Sequence, residues 1–220
     1  MHWLNKEQGF QCELICLFGQ KGYAMSLLLE STPRPLHRRA RQKSTDFALA
    51  IRWDVMDSPL GPLYLALGDR GICRVDFGRR LDEFLAQWGP MVHVERDSSA
   101  LAPVVVQLRE YFAGTRFQFE VPVDLSQLTA FQQRVLEAIR SIPAGTIRTY
   151  RQVAEALGKP QAYRAVGQAL ARNPVPIIIP CHRVVASDGS LGGYSGELTN
   201  KRLLLDLERG VAALRMSHAD

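Results

Sequence analysis

Cysteine and histidine stand side by side in Pro180-Cys181-His182-Arg183-Val184, the stretch of this 220-residue sequence best suited to chemistry. A free thiol is mostly protonated near neutral pH, so a nucleophilic cysteine needs a base or a cation beside it. His182 and Arg183 supply one of each, and a carboxylate elsewhere in the chain would orient the imidazole. The residues leading to the pair, Asn173-Pro174-Val175-Pro176-Ile177-Ile178-Ile179-Pro180, are stiff and apolar. Proline fixes φ and donates no hydrogen bond, so this run resists helix. We read it as a rigid, buried, proline-bounded strand that delivers Cys181. Taken alone, a Cys-His dipeptide is more often an inert buried pair than a reactive one.

The elements that must hold this pair can be read from periodicity and punctuation. From Phe47 onward, Ile51–Met56, Leu63–Leu67 and Ile72–Phe77 read as strands, separated by turn residues at Ser58-Pro59-Leu60-Gly61-Pro62 and Gly68-Asp69-Arg70-Gly71. Arg79–Trp88 and Ala100–Phe112 read as helices, and the alternation over Phe117–Val123 reads as a further strand. Thr129 opens a helix with Phe131, Val135, Leu136 and Ile139 on one face, ended by Pro143 and Gly145. Thr149 is an N-cap for Tyr150–Leu157, which Gly158 closes. Pro160 then starts a helix over Gln161–Arg172. Two short helices across a Gly-Lys-Pro turn form either a helix-turn-helix or an ordinary helical hairpin.

Charge divides unevenly along the chain. Residues 31–45 hold 5 basic and no acidic residues, 46–125 hold 8 basic and 12 acidic, and 126–220 hold 12 basic and 7 acidic. A basic C-terminal half beside an acidic neighbour suggests a polyanionic partner for the former. Residues 31–45, rich in Pro, Ser, Thr and Arg, read as a flexible basic tail. No apolar run is long enough for a membrane span and no secretory signal is recognisable. Four cysteines in a chain this long make no disulfide framework, so a reducing compartment is expected. Cys12 and Cys16 lack a second ligand pair, and we expect no metal.

Pro180-Cys181-His182-Arg183-Val184 resembles the active-site motif of the O6-methylguanine-DNA methyltransferases, also called alkylguanine alkyltransferases. Gly145-Thr146-Ile147-Arg148-Thr149-Tyr150 is similar to that family's approach to its helix-turn-helix. Arg164-Ala165-Val166-Gly167 is similar to its recognition helix, and Asn173-Pro174 to its hinge. Gly192-Gly193-Tyr194-Ser195-Gly196 is similar to its active-site loop, and Lys201–Glu208 to its closing helix. With Asp57-Ser58-Pro59-Leu60-Gly61 resembling the start of its N-terminal domain, the likeness spans roughly 47–212.

The resemblance implies an α+β protein: a small N-terminal α/β domain with an antiparallel sheet (47–125), then a mainly helical C-terminal domain (126–212) containing the helix-turn-helix and the active-site cysteine. Residues 1–46 would be a flexible extension and 213–220 a tail. It implies repair of O6-alkylguanine in double-stranded DNA, with O4-alkylthymine left open, by a single irreversible transfer of the alkyl group to Cys181. The damaged nucleotide must leave the duplex to be reached, and Arg164 would fill the vacated stack. Arg151, Ala165, Gly167 and Arg172 would join it on DNA. Tyr150 would sit near guanine N3 and the 3′ phosphate. Carbonyls of Cys181 and Val184 would accept from the guanine amino group, and Ser195 would donate to O6. Pro176, Tyr194 and Gly196 would complete the pocket, and Asn173, His182 and Glu208 would activate the thiol.

No cofactor is implied, and a cytoplasmic monomer is expected, nucleoid-associated if bacterial. Tyr163, Gln168 and Glu197 depart from common residues of the family. Three other readings use the same features: a non-catalytic damage sensor, a helix-turn-helix regulator and a Cys-His hydrolase. Cys181 itself argues against the first, and the Cys181–Glu208 constellation has no purpose in the second. The third lacks an oxyanion-hole motif.

Overall fold

The computed structural model describes residues 49–191 and 198–217; the expected basic extension, residues 1–46, lies outside the described residues. The chain first forms three antiparallel strands, β1 (Leu49–Met56), β2 (Leu63–Gly68) and β3 (Gly71–Phe77). The β1–β2 turn closes where Gly61 N donates to Ser58 O at 2.9 Å, and Ser58 Oγ donates back to Gly61 O at 2.7 Å. Gly61 has φ 87°, a conformation that glycine adopts without penalty.

The sheet is mixed rather than purely antiparallel. After α1 (Leu81–Ala86), a short strand β4 (Val92–Arg96) pairs parallel to β1, giving the order β3-β2-β1-β4. A parallel neighbour requires a crossover, which α1 provides. Sequence reading missed β4 because only Val92 and Val94 turn partly inward while His93, Glu95 and Arg96 are exposed. The predicted strand over Phe117–Val123 is also not a strand. Only Val123 bridges to β3, with Ile72 N donating to Pro122 O and Asp124 N donating to Ile72 O, both at 2.9 Å. Pro122 has no N–H to extend a ladder, and Glu120 N is taken by the Gln107 side chain at 2.8 Å.

Helix α2 (Ser98–Phe112) begins two residues earlier than predicted because Asp97 caps it, accepting from Ala100 N at 3.0 Å. Its buried face, Leu101, Val104, Val105, Leu108 and Tyr111, packs against β1 and β2. The other side of the sheet buries Ile51, Trp53, Tyr64 and Ala66 with Phe84 of α1.

The second half follows the sequence reading closely. Helix α3 (Ala130–Arg140) starts at a capping box made by Thr129 and Gln132, and α4 (Tyr150–Ala156) at one made by Thr149 and Gln152. Gly158, at φ 70°, ends α4. A 3-10 turn over Pro160–Ala162 leads into α5 (Tyr163–Ala171). Two-residue strands β5 (Arg148–Thr149) and β6 (Val184–Val185) pair in parallel. Helix α6 (Leu198–Ser217) closes the fold, so the expected tail is helical as far as Ser217. One apolar core runs without a break from Leu63, Leu65 and Leu108 to Leu136, Ile139, Val166 and Ile177. Each fully buried aliphatic side chain there contributes about 1.5–3 kcal/mol.

Gly71 is the tightest point of the sheet. Its φ is 130°, and a Cβ there would lie 2.4 Å from Pro122 O. Gly71→Ala should therefore destabilise the fold by roughly 2–4 kcal/mol, combining backbone strain with overpacking. Urea unfolding followed by circular dichroism measures it as a lower midpoint with an unchanged slope.

Candidate active site

Cys181 arrives on a turn, not on the strand expected from sequence. Between Asn173 and Pro180 the chain folds back on itself: Ile179 N donates to Val175 O at 3.0 Å, and Pro176 bridges Ile179. Ile177 has φ 74°, costly for a β-branched residue. Pro180, at φ −81° and ψ 63°, makes an inverse γ-turn that Cys181 N closes on Ile179 O at 2.8 Å. Cys181–Arg183 then form one 3-10 turn. The prolines still exclude α-helix here, but compactness and burial replace extension.

Asn173 clamps this turn. Its Oδ1 accepts from Val175 N at 3.1 Å and its Nδ2 donates to Ile179 O at 2.9 Å. Both side-chain bonds go to backbone, so Asn173 holds the platform under Cys181 rather than touching His182. A third tie comes from the sheet, where Val75 N of β3 donates to Pro174 O at 2.8 Å.

Cys181 is 3% exposed and His182 is fully buried. His182 Nε2 lies 2.8 Å from Glu208 Oε1, and His182 Nδ1 is buried with no protein hydrogen-bond partner. An ionised Glu208 can only accept, so Nε2 carries the proton and Nδ1 presents a lone pair. Burial pulls the His182 pKa below its usual value, outweighing the hydrogen bond to Glu208 and that carboxylate's charge, both of which would raise it. The resting imidazole is neutral and basic at Nδ1. It contacts Glu208 as a hydrogen-bond donor rather than as an ion.

Glu208, fully buried, is the hub. Arg183 Nε donates to Oε2 at 3.0 Å and Arg183 Nη2 to Oε1 at 2.9 Å. Tyr111 Oη donates to Oε1 at 2.9 Å, and Gly145 N to Oε2 at 3.3 Å. Burial pushes this carboxyl up, yet the hydrogen bonds from His182 and Arg183 and the charge of Arg183 overcome it and hold the pKa at about 2. Arg183 Nη1 also donates to Ile142 O, tying the network to the end of α3. A cavity of about 480 Å³, lined in part by Phe117, Phe119, Arg140, Arg183 and Glu208, borders the carboxylate but does not include Cys181.

Two residues with roles at the site were not singled out from sequence. Lys201 is fully buried, and its Nζ donates to Val184 O at 2.6 Å and to Leu191 O. It also sits 6.0 Å from the Tyr150 ring centroid. Burial lowers its pKa to about 8, partly opposed by the Cys181 charge. Val184, assigned a carbonyl contact with the base, thus already holds one donor, and its second lone pair stays open to another. The other residue is Tyr111, reached from α2. Nothing local marks either: Lys201 stands between Asn200 and Arg202 like a typical surface lysine, and Tyr111 sits in an ordinary stretch of α2.

Tyr150 stands at the first position of α4, half-buried, with its ring against Gly167 of α5. Burial raises its pKa, and the Cys181 charge adds to that, so its hydroxyl stays protonated. Pro176 is buried beneath the turn. Arg151, Arg164 and Arg172 are exposed on α4 and α5, with Ala165 partly so. Arg151 and Arg164 lie 5.5 and 5.8 Å from the Tyr163 ring, which bears a guanidinium in each of two contacts. Tyr194, Ser195 and Gly196 lie outside the described residues, as does Glu197.

Removing the charge at Glu208 leaves Arg183 buried and uncompensated. Glu208→Gln should cost roughly 3–5 kcal/mol of unfolding free energy in urea at neutral pH. Because the folded carboxyl is depressed, its contribution is present above its usual value of 4.5 and disappears as pH falls towards about 2. The gap between wild type and Glu208→Gln should therefore narrow across that interval, read from denaturation midpoints in an acid series.

Comparison with known proteins matches both halves of the chain. Two family models match: 6-O-methylguanine DNA methyltransferase, ribonuclease-like domain, over residues 51–125, and the DNA binding domain of the same enzyme over 130–210. A methylated-DNA--protein-cysteine methyltransferase of Methanosarcina barkeri is 42% identical over 158 residues, covering 71% of this chain and 96% of that one. The constitutive enzyme of that name from Bacillus subtilis is 42% identical over 157 residues, covering 70% and 92%. Among solved structures, Mycobacterium tuberculosis O6-methylguanine methyltransferase superposes with a TM-score of 0.67 at 38% identity, covering 77% of this chain and 99% of that one. The Mycobacterium tuberculosis OGT in complex with DNA gives 0.64 at 40% identity, covering 74% and 94%. With both domains matched in order and the Cys181–His182–Glu208 arrangement in place, the chain belongs to the 6-O-methylguanine DNA methyltransferase family.

Proposed function

We propose that this protein repairs O6-alkylguanine in double-stranded DNA by moving the alkyl group onto Cys181 Sγ once and irreversibly. The observation that carries the proposal is the neutral, buried His182, held by Glu208 so that an unpartnered Nδ1 is available beside the cysteine. His182 Nδ1 takes the Cys181 proton, through one water. Glu208 stabilises the resulting imidazolium. The thiolate attacks the alkyl carbon in line, a C–S bond forms, and the C–O6 bond breaks. The electron pair leaves with guanine, which receives a proton at N3 from Tyr150. The imidazolium proton then restores the tyrosine, so thiol and alkylguanine become thioether and guanine. A thioether resists hydrolysis, so no second turnover follows.

Exposed Arg164 and Arg151 suit the DNA side of this reaction. A long planar cation fits the gap left by an extruded base, and the other basic side chains of α4 and α5 suit phosphates. Val184 O, steadied by Lys201, is placed to accept from the guanine amino group, and Pro176 to form an apolar wall. Tyr194, Ser195 and Gly196 complete the pocket in this reading. No helix among the described residues is long and apolar enough to cross a membrane. We place the protein as a cytoplasmic monomer acting on DNA without a cofactor.

Incubation with a duplex carrying one O6-methylguanine, followed by intact-mass and peptide analysis, tests this reading. The expected result is one methyl group per chain, on Cys181, with no gain in Cys181→Ala although that variant still binds the duplex. Repeated turnover, or methyl on Cys73, overturns it. Burial, with the charge of Asp124, pushes the Cys73 thiol up to about 11 and makes it a poor nucleophile.

A further inference from the structure

Tyr111 is a fully buried tyrosine whose hydroxyl reaches across the fold to a group 97 residues away in sequence. It lies in α2, within the segment matched by the ribonuclease-like model, whereas Cys181, His182 and Glu208 all lie in the DNA-binding segment. Its Oη donates to Glu208 Oε1 at 2.9 Å and stands 3.4 Å from His182 Nε2. The ring is fixed on several sides by Phe112, Phe117 and Phe119, at centroid distances of 5.4, 5.9 and 5.7 Å. That aromatic cage leaves the hydroxyl little freedom to turn elsewhere.

We propose that Tyr111 is a positioning residue for alkyl transfer, through which the N-terminal half sets the orientation and tautomer of His182. This rests on the alkyl-transfer reading above. Glu208 Oε1 accepts from His182 Nε2, Arg183 and Tyr111 together. Arg183 grips both oxygens and, acting alone, draws the carboxylate towards its own fork. The Tyr111 hydroxyl pulls Oε1 from another direction and keeps that oxygen aimed at Nε2. It also closes the space beside Nε2, so the ring cannot flip without breaking two contacts. With Nε2–H fixed in this way, Nδ1 remains the base. The charged and titratable groups facing the imidazole are Arg183 from its own turn, Glu208 and Lys201 from α6, and Tyr111 from α2.

Tyr111→Phe removes the proton donor and keeps the ring. Single-turnover methyl transfer from saturating O6-methylguanine duplex should slow by on the order of tenfold, the kinetic equivalent of one hydrogen bond to a charged group. The duplex dissociation constant should not change. The rising limb of the rate against pH should move to higher pH, because the thiol must then ionise with less help from His182. A purely structural tyrosine would lower only the active fraction, titrated with limiting duplex, and leave the pH midpoint of the surviving molecules in place. That outcome, or a wild-type rate at every pH, overturns the proposal. If the phenylalanine variant does not fold, 4-aminophenylalanine and 4-fluorophenylalanine at 111 give the same comparison. The amino group should keep the wild-type midpoint and the fluorine should shift it; equal midpoints overturn the proposal. Failure of the wild type to accept methyl at all would instead refute the alkyl-transfer reading, so the two failures are distinct.

Discussion

A carboxylate with no solvent exposure is costly to bury, and the C-terminal half is arranged around meeting that cost at Glu208. Three parts of the chain converge on the two oxygens that α6 carries: the 3-10 turn through His182 and Arg183, the loop after α3 through Gly145, and the helix α2 through Tyr111. Taking away one partner of such a cluster costs more than forming it contributes, because the remaining charges stay buried. Two consequences follow together. The closing helix is locked to the active-site turn, and the histidine beside the nucleophile is given one tautomer. Stability and chemistry therefore rest on the same hydrogen bonds.

The turn that carries Cys181 shows the opposite economy. Ile177 is held at a positive φ, a strain of about 1–3 kcal/mol for a non-glycine residue. It persists because Asn173 clamps the turn twice, Val75 of the sheet ties it once, and four apolar side chains, Val175, Ile177, Ile178 and Ile179, are sealed in the core. A displacement at carbon requires the sulfur, the carbon and the departing oxygen in line, and small misplacements are expensive. A nucleophile on a stiff, internally bonded turn meets that demand in a way that an extended strand, free to shear, does not.

What could be read from sequence was whatever the chain decides locally. Thr129 and Thr149 marked the starts of their helices, where the structure adds capping boxes, and Gly158 and Pro160 marked the turn between α4 and the next helix. The motif at Pro180–Val184 pointed to Cys181 and His182, which the structure buries together with Glu208. The misreadings share a physical cause. Phe117, Phe119 and Val121 alternate because an extended segment lays its odd residues on Tyr111 and the core, not because it pairs in a ladder. Burial on one side of any extended chain produces that period, whatever its backbone bonds to. Strand β4 shows too little burial to leave a pattern. Tyr111 joins its partners only through folding, since 71 residues separate it from His182, and no local rule carries such a contact.

Arginine plays two roles here, and the surroundings alone separate them. Arg183 is 4% exposed at its side chain and bonded at every nitrogen position to carboxylate or carbonyl, so it cannot leave. Arg164 and Arg151 lie on the surface against the Tyr163 ring. A cation–π contact at an exposed site is worth about 0.5–1 kcal/mol. That is enough to bias a long side chain towards the ring and too little to fix it there. Tyr163 thus restricts the conformations open to the Arg164 and Arg151 side chains without neutralising their charge. The protein holds the turn under Cys181 rigid by bonds on three sides and leaves Arg164 and Arg151 loosely held at the surface.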